Sequence, residues 1–232
     1  MYVFEGKMRY LNIILTTFIF FLVGCGAIEK KSDSSSEGSS YEDRLKAKED
    51  KQHVFMWNLF AENLLSLHQN QIKKQRVQLK KKEGGYASNK NFYTEIEYTS
   101  VKTGKLISRV QWEKARPNVM HSIEVYLYDS KGRVVRDFLA AYLPGHRNAP
   151  VQTLITLHQY KDKLHGFRSF DASGDKVLER CEGEFLGKSF EFLLDVDDMY
   201  SAYLNGNPIE PKAYEACLGK TPEKAGKYLR PH

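Results

Sequence analysis

Three histidines near the middle of the chain, His146, His158 and His165, have types and spacing that could do chemistry. A two-residue turn at positions 161–162 would place His158 and His165 directly opposite each other on neighbouring strands, with Cβ atoms about 5 Å apart. Two imidazoles at that separation could share Zn²⁺ or Cu²⁺, with His146 on the preceding loop as a third ligand. The competing interpretation is that they are ordinary histidines on the face of a sheet.

The three cysteines separate into one near the N-terminus, Cys25, and two near the C-terminus, Cys181 and Cys217. If Cys25 has another role, the simplest state of the remaining pair in an oxidising compartment is one disulfide. Such a link would stabilise the domain by roughly 4 kcal/mol through loop-closure entropy. Two reduced thiols are the alternative. No Cys-x-x-Cys motif occurs, so a redox enzyme is not expected.

Familiar catalytic motifs are missing from the sequence. It contains no G-x-S-x-G, H-E-x-x-H, P-loop or dinucleotide fingerprint. We therefore predict no catalytic residues and no cofactor, and we favour a protein that is not an enzyme.

The first 24 residues have the layout of an export signal. Lys7 and Arg9 precede an uncharged stretch from residue 11 to residue 24 that ends in a small residue. This stretch is too short for a transmembrane helix, which needs about 20 apolar residues. We therefore expect a signal peptide over residues 1–24.

The segment Leu22-Val23-Gly24-Cys25 resembles the lipobox of bacterial lipoproteins. The resemblance covers these residues and the preceding signal. It implies cleavage before Cys25 and attachment of acyl chains, such as palmitate, to that residue. Gly26, where an aspartate could stand, implies the outer membrane, with the domain facing the periplasm. Two or three acyl chains would anchor a protein to a membrane without spanning it.

Composition divides the rest of the chain into a tether and one domain. Residues 25–40 are rich in Ser, Gly and charge, so we expect a flexible tether with a root-mean-square reach of roughly 20 Å. Residues 41–232 have enough apolar and aromatic residues for a single folded domain. The formal net charge of +6 is too moderate to indicate a nucleic-acid partner.

An apolar stripe predicts an amphipathic helix over residues 41–83, ended by Gly84-Gly85. Residues 73–82, with six basic residues and no acid, would form its last turns. The lysines would then complement the helix dipole or attract anionic lipid headgroups. The stripe consists of Val54, Trp57, Phe60, Leu64, Leu67 and Ile72.

From residue 91 the hydrophobic period changes to two, which indicates antiparallel strands. A weak repeat of an aromatic residue, turn formers and Gly separates several of them. The predicted fold is α+β, with the N-terminal helix packed on a β-meander over residues 91–195, either a curved sheet or a small barrel. A tail over residues 196–232 would be pinned by Cys217 to the strand that holds Cys181. The eight expected strands are 92–99, 105–113, 118–128, 133–142, 152–160, 164–171, 176–183 and 188–195.

These features favour a lipid-anchored, non-enzymatic envelope lipoprotein that binds a partner protein or an apolar ligand. A metal-dependent hydrolase built on the histidines and a structural subunit of an envelope machine are the alternatives. A carrier needs an apolar cavity, an enzyme needs converging polar groups, and a subunit needs an exposed apolar patch. If Trp57 and Phe60 are exposed, the helix is a docking element.

Overall fold

The computed structural model describes residues 50–145, 147–195 and 210–232. In this part of the chain a helix precedes nine antiparallel strands, and a second helix follows, so the expected α+β class is confirmed. The signal peptide, the tether, residues 41–49 of the predicted helix and residues 196–209 of the predicted tail lie outside it. The elements are α1 (Lys51–Lys73), β1 (Val77–Tyr86), β2 (Asn89–Ser100), β3 (Leu106–Glu113), β4 (Met120–Tyr128), β5 (Val134–Ala141), β6 (Gln152–Lys161), β7 (Leu164–Phe170), β8 (Lys176–Phe185), β9 (Lys188–Asp195), α2 (Pro211–Leu218) and a 3₁₀ turn (Gly226–Leu229).

Helix α1 is amphipathic, as its stripe predicts. It begins at an Asp50 cap, whose carboxylate accepts a hydrogen bond from the His53 backbone N–H at 2.7 Å. Phe60 and Leu64 are at most 2% exposed and pack on the sheet. Trp57 packs against the same core and donates its indole N–H to Ser173 Oγ at 2.8 Å. The stripe is therefore core rather than a docking surface.

The prediction that α1 continues to residue 83 is wrong. The helix ends at Lys73, and strand β1 begins at Val77. Gly84 does not end a helix but allows a close approach within the β1–β2 hairpin, because a Cβ there would lie 2.4 Å from Cε2 of Tyr93. The basic stretch 73–82 is therefore mostly an edge strand, and dipole complementarity does not explain its lysines.

The nine strands form one meander in which each strand pairs with the next along the chain. The eight predicted strands match β2 to β9 to within a few residues. No ladder joins β1 to β9 within the described residues, so the sheet is open there rather than closed into a barrel. The predicted turns are confirmed, since Gly104, Gly132 and Gly174 have φ of 66°, 76° and 96°.

Both helices pack on one face of the sheet, which we call the inner face. Helix α1 lies over β3 to β5, and α2 lies over β6 to β8. Val110, Ile123, Phe138 and Ile155 follow one another across the inner face and are at most 1% exposed. The alternate residues of each strand point to the opposite face, which we call the outer face.

Helix α2 is joined to the sheet by a Cys181–Cys217 disulfide with a Cα–Cα distance of 6.0 Å. The predicted pairing is therefore confirmed. Gly166 of β7 makes room for the helix, because a Cβ at this position would lie 2.5 Å from the carbonyl oxygen of Cys217. A side chain there would push α2 away from the sheet.

A buried ionic network lies beside the disulfide. Arg168, which is 0% exposed, donates from Nε to Oε1 of Glu179 at 2.6 Å and from Nη1 to the carbonyl oxygen of Thr221 at 2.7 Å. Burial alone would lower the pKa of Arg168, but the Glu179 carboxylate raises it overall. The guanidinium thus stays charged and ties the C-terminal segment to β7 and β8.

Candidate functional site

The outer face carries a row of four titratable side chains on four consecutive strands. Asp137 lies on β5, His158 on β6, His165 on β7 and Glu182 on β8. The cross-strand register places all four on the outer face, away from both helices. We call this row the acid–histidine row.

The two imidazoles contact each other directly. Nδ1 of His158 lies 2.9 Å from Nε2 of His165, and the ring planes are inclined by only 14°. The second nitrogen of each ring faces a carboxylate: Nε2 of His158 lies 2.6 Å from Oδ2 of Asp137, and Nδ1 of His165 lies 3.5 Å from Oε1 of Glu182. The converging polar groups thus form one continuous chain across β5 to β8.

The predicted turn of the β6–β7 hairpin is wrong by one residue, which shifts the pairing of the two strands by two residues. Lys161 pairs with Leu164, so the turn consists of residues 162–163 rather than 161–162. His165 therefore lies opposite Tyr160 and not opposite His158. The two histidines still meet because diagonal neighbours on the same face of a sheet are within reach of long side chains.

Aromatic side chains surround the two histidines. Tyr160 stacks on His165 with ring centroids 4.5 Å apart and an interplanar angle of 5°. Phe167 lies 5.5 Å from His158, also measured between ring centroids. The imidazoles are mostly shielded, with side-chain exposures of 11% for His158 and 28% for His165.

Burial and the positive charge of a protonated His158 lower the pKa of His165, while Glu182 acts in the opposite direction. A neutral His165 imidazole is therefore favoured near neutral pH. A neutral imidazole keeps one nitrogen lone pair, which can accept a hydrogen bond or bind a metal ion.

The third histidine of the predicted metal site, His146, lies outside the described residues. Among the residues that the structure describes, no group of three or more His, Cys, Asp or Glu side chains is arranged to hold a metal ion. The structure therefore brings two of the three predicted ligands together, and the three-histidine site stays a prediction.

The neighbouring part of the outer face is occupied by paired charges. Arg109 lies 3.3 Å from Glu95, 3.3 Å from Glu97 and 3.1 Å from Glu124 in its nearest nitrogen–oxygen distances. Tyr126 donates a hydrogen bond to Glu124, whose pKa burial raises. These charges are therefore paired with one another. The acid–histidine row differs because two imidazole nitrogens in it lie within hydrogen-bonding distance of each other.

A second feature, which the sequence analysis missed, is an apolar edge at the end of the sheet. Leu186 in the β8–β9 turn is 82% exposed, and Leu193 on β9 is 54% exposed. Phe185 and Leu186 also line an open cavity of about 310 Å³ together with Leu164. We call Leu186 and residues 188–194 of β9 the β9 edge.

The predicted lipidation site, Cys25, lies outside the described residues and stays a prediction. Within the described residues, neither helix has the length and apolar character needed to cross a bilayer.

Comparison with known proteins gives no match, whether against family models, curated proteins or solved structures. The class of the molecule is therefore defined by its fold: an α+β domain with both described helices on one face of a nine-stranded meander.

Proposed function

We propose that the protein is a lipid-anchored, non-enzymatic lipoprotein of the cell envelope that binds a partner protein through its β9 edge. The signal peptide and the lipobox ending at Cys25 support the anchor. The Cys181–Cys217 disulfide fits an oxidising compartment, although it supports the envelope location only weakly. The observation that carries the binding role is the exposed apolar surface of the β9 edge.

An edge strand offers unpaired backbone N–H and C=O groups to another chain. Among the described residues β9 pairs only with β8, and residues 188–194 carry apolar side chains on both faces: Phe190 and Phe192 on the inner face and Leu193 on the outer face. Such a strand suits an extended apolar segment of a partner, which would add a tenth strand by backbone hydrogen bonding. An extended segment of an envelope protein is therefore the occupant that we propose.

An apolar ligand is less well supported as the occupant. Two cavities lined by described residues are open to solvent, with volumes of about 310 and 240 Å³. The space beneath α1 is filled by side chains such as Phe60 and Phe138, whose rings pack 6.3 Å apart between centroids. A carrier would instead need an apolar cavity that encloses most of its ligand.

The anchor is tested by replacing the predicted lipidated residue. Cys25→Ala should move the protein from the membrane fraction to the soluble fraction of cells that export it, because the acyl chains would be lost. Ser34→Ala in the predicted tether is the control, since it leaves both Cys25 and the Cys181–Cys217 disulfide in place and should leave the protein in the membrane fraction. A Cys25→Ala protein that stays in the membrane fraction contradicts the lipobox interpretation.

The partner is tested by placing a photo-crosslinking amino acid at single positions in the cells of origin. Leu186 and Leu193 are the test positions, and Leu79 and Val101, at 51% and 54% exposure, are controls away from the β9 edge. We expect the same crosslinked protein from both test positions and none from the controls. Equal crosslinking at all four positions, or a product that contains only a second copy of this chain, contradicts the proposal.

A further inference from the structure

We propose that His158 and His165 together bind one transition-metal ion of the Zn²⁺ or Cu²⁺ class, with water completing its coordination. The ligand atoms are Nδ1 of His158 and Nε2 of His165. This inference does not rest on the lipid anchor or on the β9 edge, because both ligand atoms belong to side chains of β6 and β7.

The hydrogen bonds of the acid–histidine row leave the converging nitrogens available to a cation. Two neutral imidazoles supply two N–H donors, which satisfy the links from His158 to Asp137 and between His165 and His158. Nδ1 of His165 lies 3.5 Å from Oε1 of Glu182, whose Oε2 accepts a hydrogen bond from Arg180 at 2.9 Å. A metal ion bound by the two converging nitrogens would move the His165 proton to Nδ1, where it faces Glu182.

The carboxylates favour the metal ion. In metal sites, a ligating histidine almost always donates its other ring N–H to a carboxylate or carbonyl oxygen, which fixes the tautomer and orients the ring. His158 has this arrangement with Asp137 at 2.6 Å, and Glu182 lies 3.5 Å from the second ring nitrogen of His165. Asp137 carries a charge that a cation balances, whereas Glu182 is already paired with Arg180 at 2.9 Å.

The distance between the converging nitrogens is close to that of a metal site. Two nitrogens at about 2.05 Å from a tetrahedral Zn²⁺ are about 3.4 Å apart. The observed separation is 2.9 Å, so a modest rotation of one ring opens the site. His165 is the ring with more freedom, because its side chain is 28% exposed against 11% for His158.

The ligand atoms determine the class of metal. Imidazole nitrogen suits Zn²⁺, Cu²⁺ and Ni²⁺, whereas Mg²⁺ and Ca²⁺ prefer oxygen ligands. With only two protein ligands, at least two coordination positions remain for water or for a donor atom of another molecule. Tyr160 and Phe167 flank the rings and limit the approach to these positions to the solvent side.

The test titrates the full-length, metal-free chain, extracted in detergent and without an affinity histidine tag, with Zn²⁺ or Cu²⁺ alone. Calorimetry should show one ion per chain, with affinity at least 100-fold weaker in His165→Gln and 10- to 100-fold weaker in Asp137→Asn. His53→Gln and His232→Gln are matched controls that remove histidines outside the row and should bind as the wild type does. Mg²⁺ in excess should not compete.

Electron paramagnetic resonance of the Cu²⁺ complex separates this site from any other in the chain. The wild-type spectrum should show coupling to two imidazole nitrogens, and the His165→Gln spectrum should lose one. A thermal unfolding transition close to that of the wild type shows that the variant is folded. Lack of stoichiometric binding, or an unchanged affinity and spectrum in folded His165→Gln, overturns the proposal.

Discussion

The two outer strands of the described sheet differ in their charged residues rather than in apolar exposure, since Leu79 on β1 is 51% exposed and Leu193 on β9 is 54% exposed. Strand β1 carries Lys80, Lys81 and Lys82 in succession, so that both of its faces present a charge. Strand β9 instead places apolar residues on both faces, with Leu193 more than half exposed. Lysines on an edge strand discourage pairing with other chains. The difference indicates that β1 is built to stay solvated, whereas β9 is suited to being covered.

The two halves of the sheet also differ in how they are held. Strands β3 to β5 pack against α1 through apolar side chains such as Leu64 and Val125, both 0% exposed. Strands β7 and β8 are held to the C-terminal segment by the Cys181–Cys217 disulfide and by Arg168. The half of the sheet that ends in β9 is therefore held by the Cys181–Cys217 disulfide, whereas the half that ends in β1 has no such link among the described residues.

The largest expected effect comes from breaking that link. Cys217→Ser should lower the free energy of unfolding by about 4 kcal/mol, because the unfolded chain regains loop entropy. Hydrogen exchange should increase in α2 and in β7 to β9 and remain nearly unchanged in α1. Adding a reductant to the wild type should reproduce this pattern, whereas the variant should not respond to reductant. An equal loss of protection in α1 would contradict the division into two halves.

The next largest effect is a loss of stability at acidic pH in the half of the sheet that α1 covers. His68 is buried, its Nδ1 lies 2.7 Å from Ser108 Oγ, and burial lowers its pKa to about 4. Between pH 6.5 and about 4 the unfolded chain binds a proton at His68 that the native state does not bind. The free energy of unfolding should therefore fall with decreasing pH in this window, by up to about 3 kcal/mol from His68 alone.

His68→Gln should remove this part of the pH dependence, as measured by urea unfolding at pH 7, 5.5 and 4. His232→Gln, at an exposed position, is the control and should follow the wild-type curve. If the free energy of unfolding depended on pH in the same way in His68→Gln and in the wild type, the loss of stability in acid would come from other groups than His68.

The smallest expected change in stability comes from exchanging the characters of the two edges. Leu193→Lys gives β9 a lysine and should change the free energy of unfolding by no more than about 0.5 kcal/mol, as is usual for surface positions. It should nevertheless reduce association during refolding, measured by light scattering, because a charge replaces the exposed apolar side chain of Leu193 at the edge. Lys81→Leu on β1 should increase association. If Leu193→Lys associated as much as Lys81→Leu during refolding, or more, the comparison of the two edges would be contradicted.

Much of the fold could be predicted from local patterns. Period-two alternation indicates β2 to β9, and glycines at 104, 132 and 174 mark their turns. Strand β1 was missed because its run of lysines hides the alternation of Val77 and Leu79, and because Gly84 was interpreted as a helix end. The disulfide could be predicted once Cys25 was assigned to the lipobox, because two cysteines then remain for an oxidising compartment.

The candidate site was only partly predictable. Histidine spacing identified His158 and His165, but the turn position determines the register, and sequence alone did not fix it. The carboxylate partners Asp137 and Glu182 come from strands on either side, so they could be recognised only once four strands were aligned. The apolar character of β9 becomes informative only when the strand is known to lie at the edge of the sheet.

The meander has a consequence for the order in which the molecule can assemble. Every strand pairs only with its neighbours in sequence, so the contact order is low for a β-rich protein, and loop closure costs little at each step. A chain that emerges from a translocation channel with its N-terminus first can add one hairpin at a time. Cys217 follows the nine described strands in the chain, so the Cys181–Cys217 disulfide can form only after all of them have been synthesised.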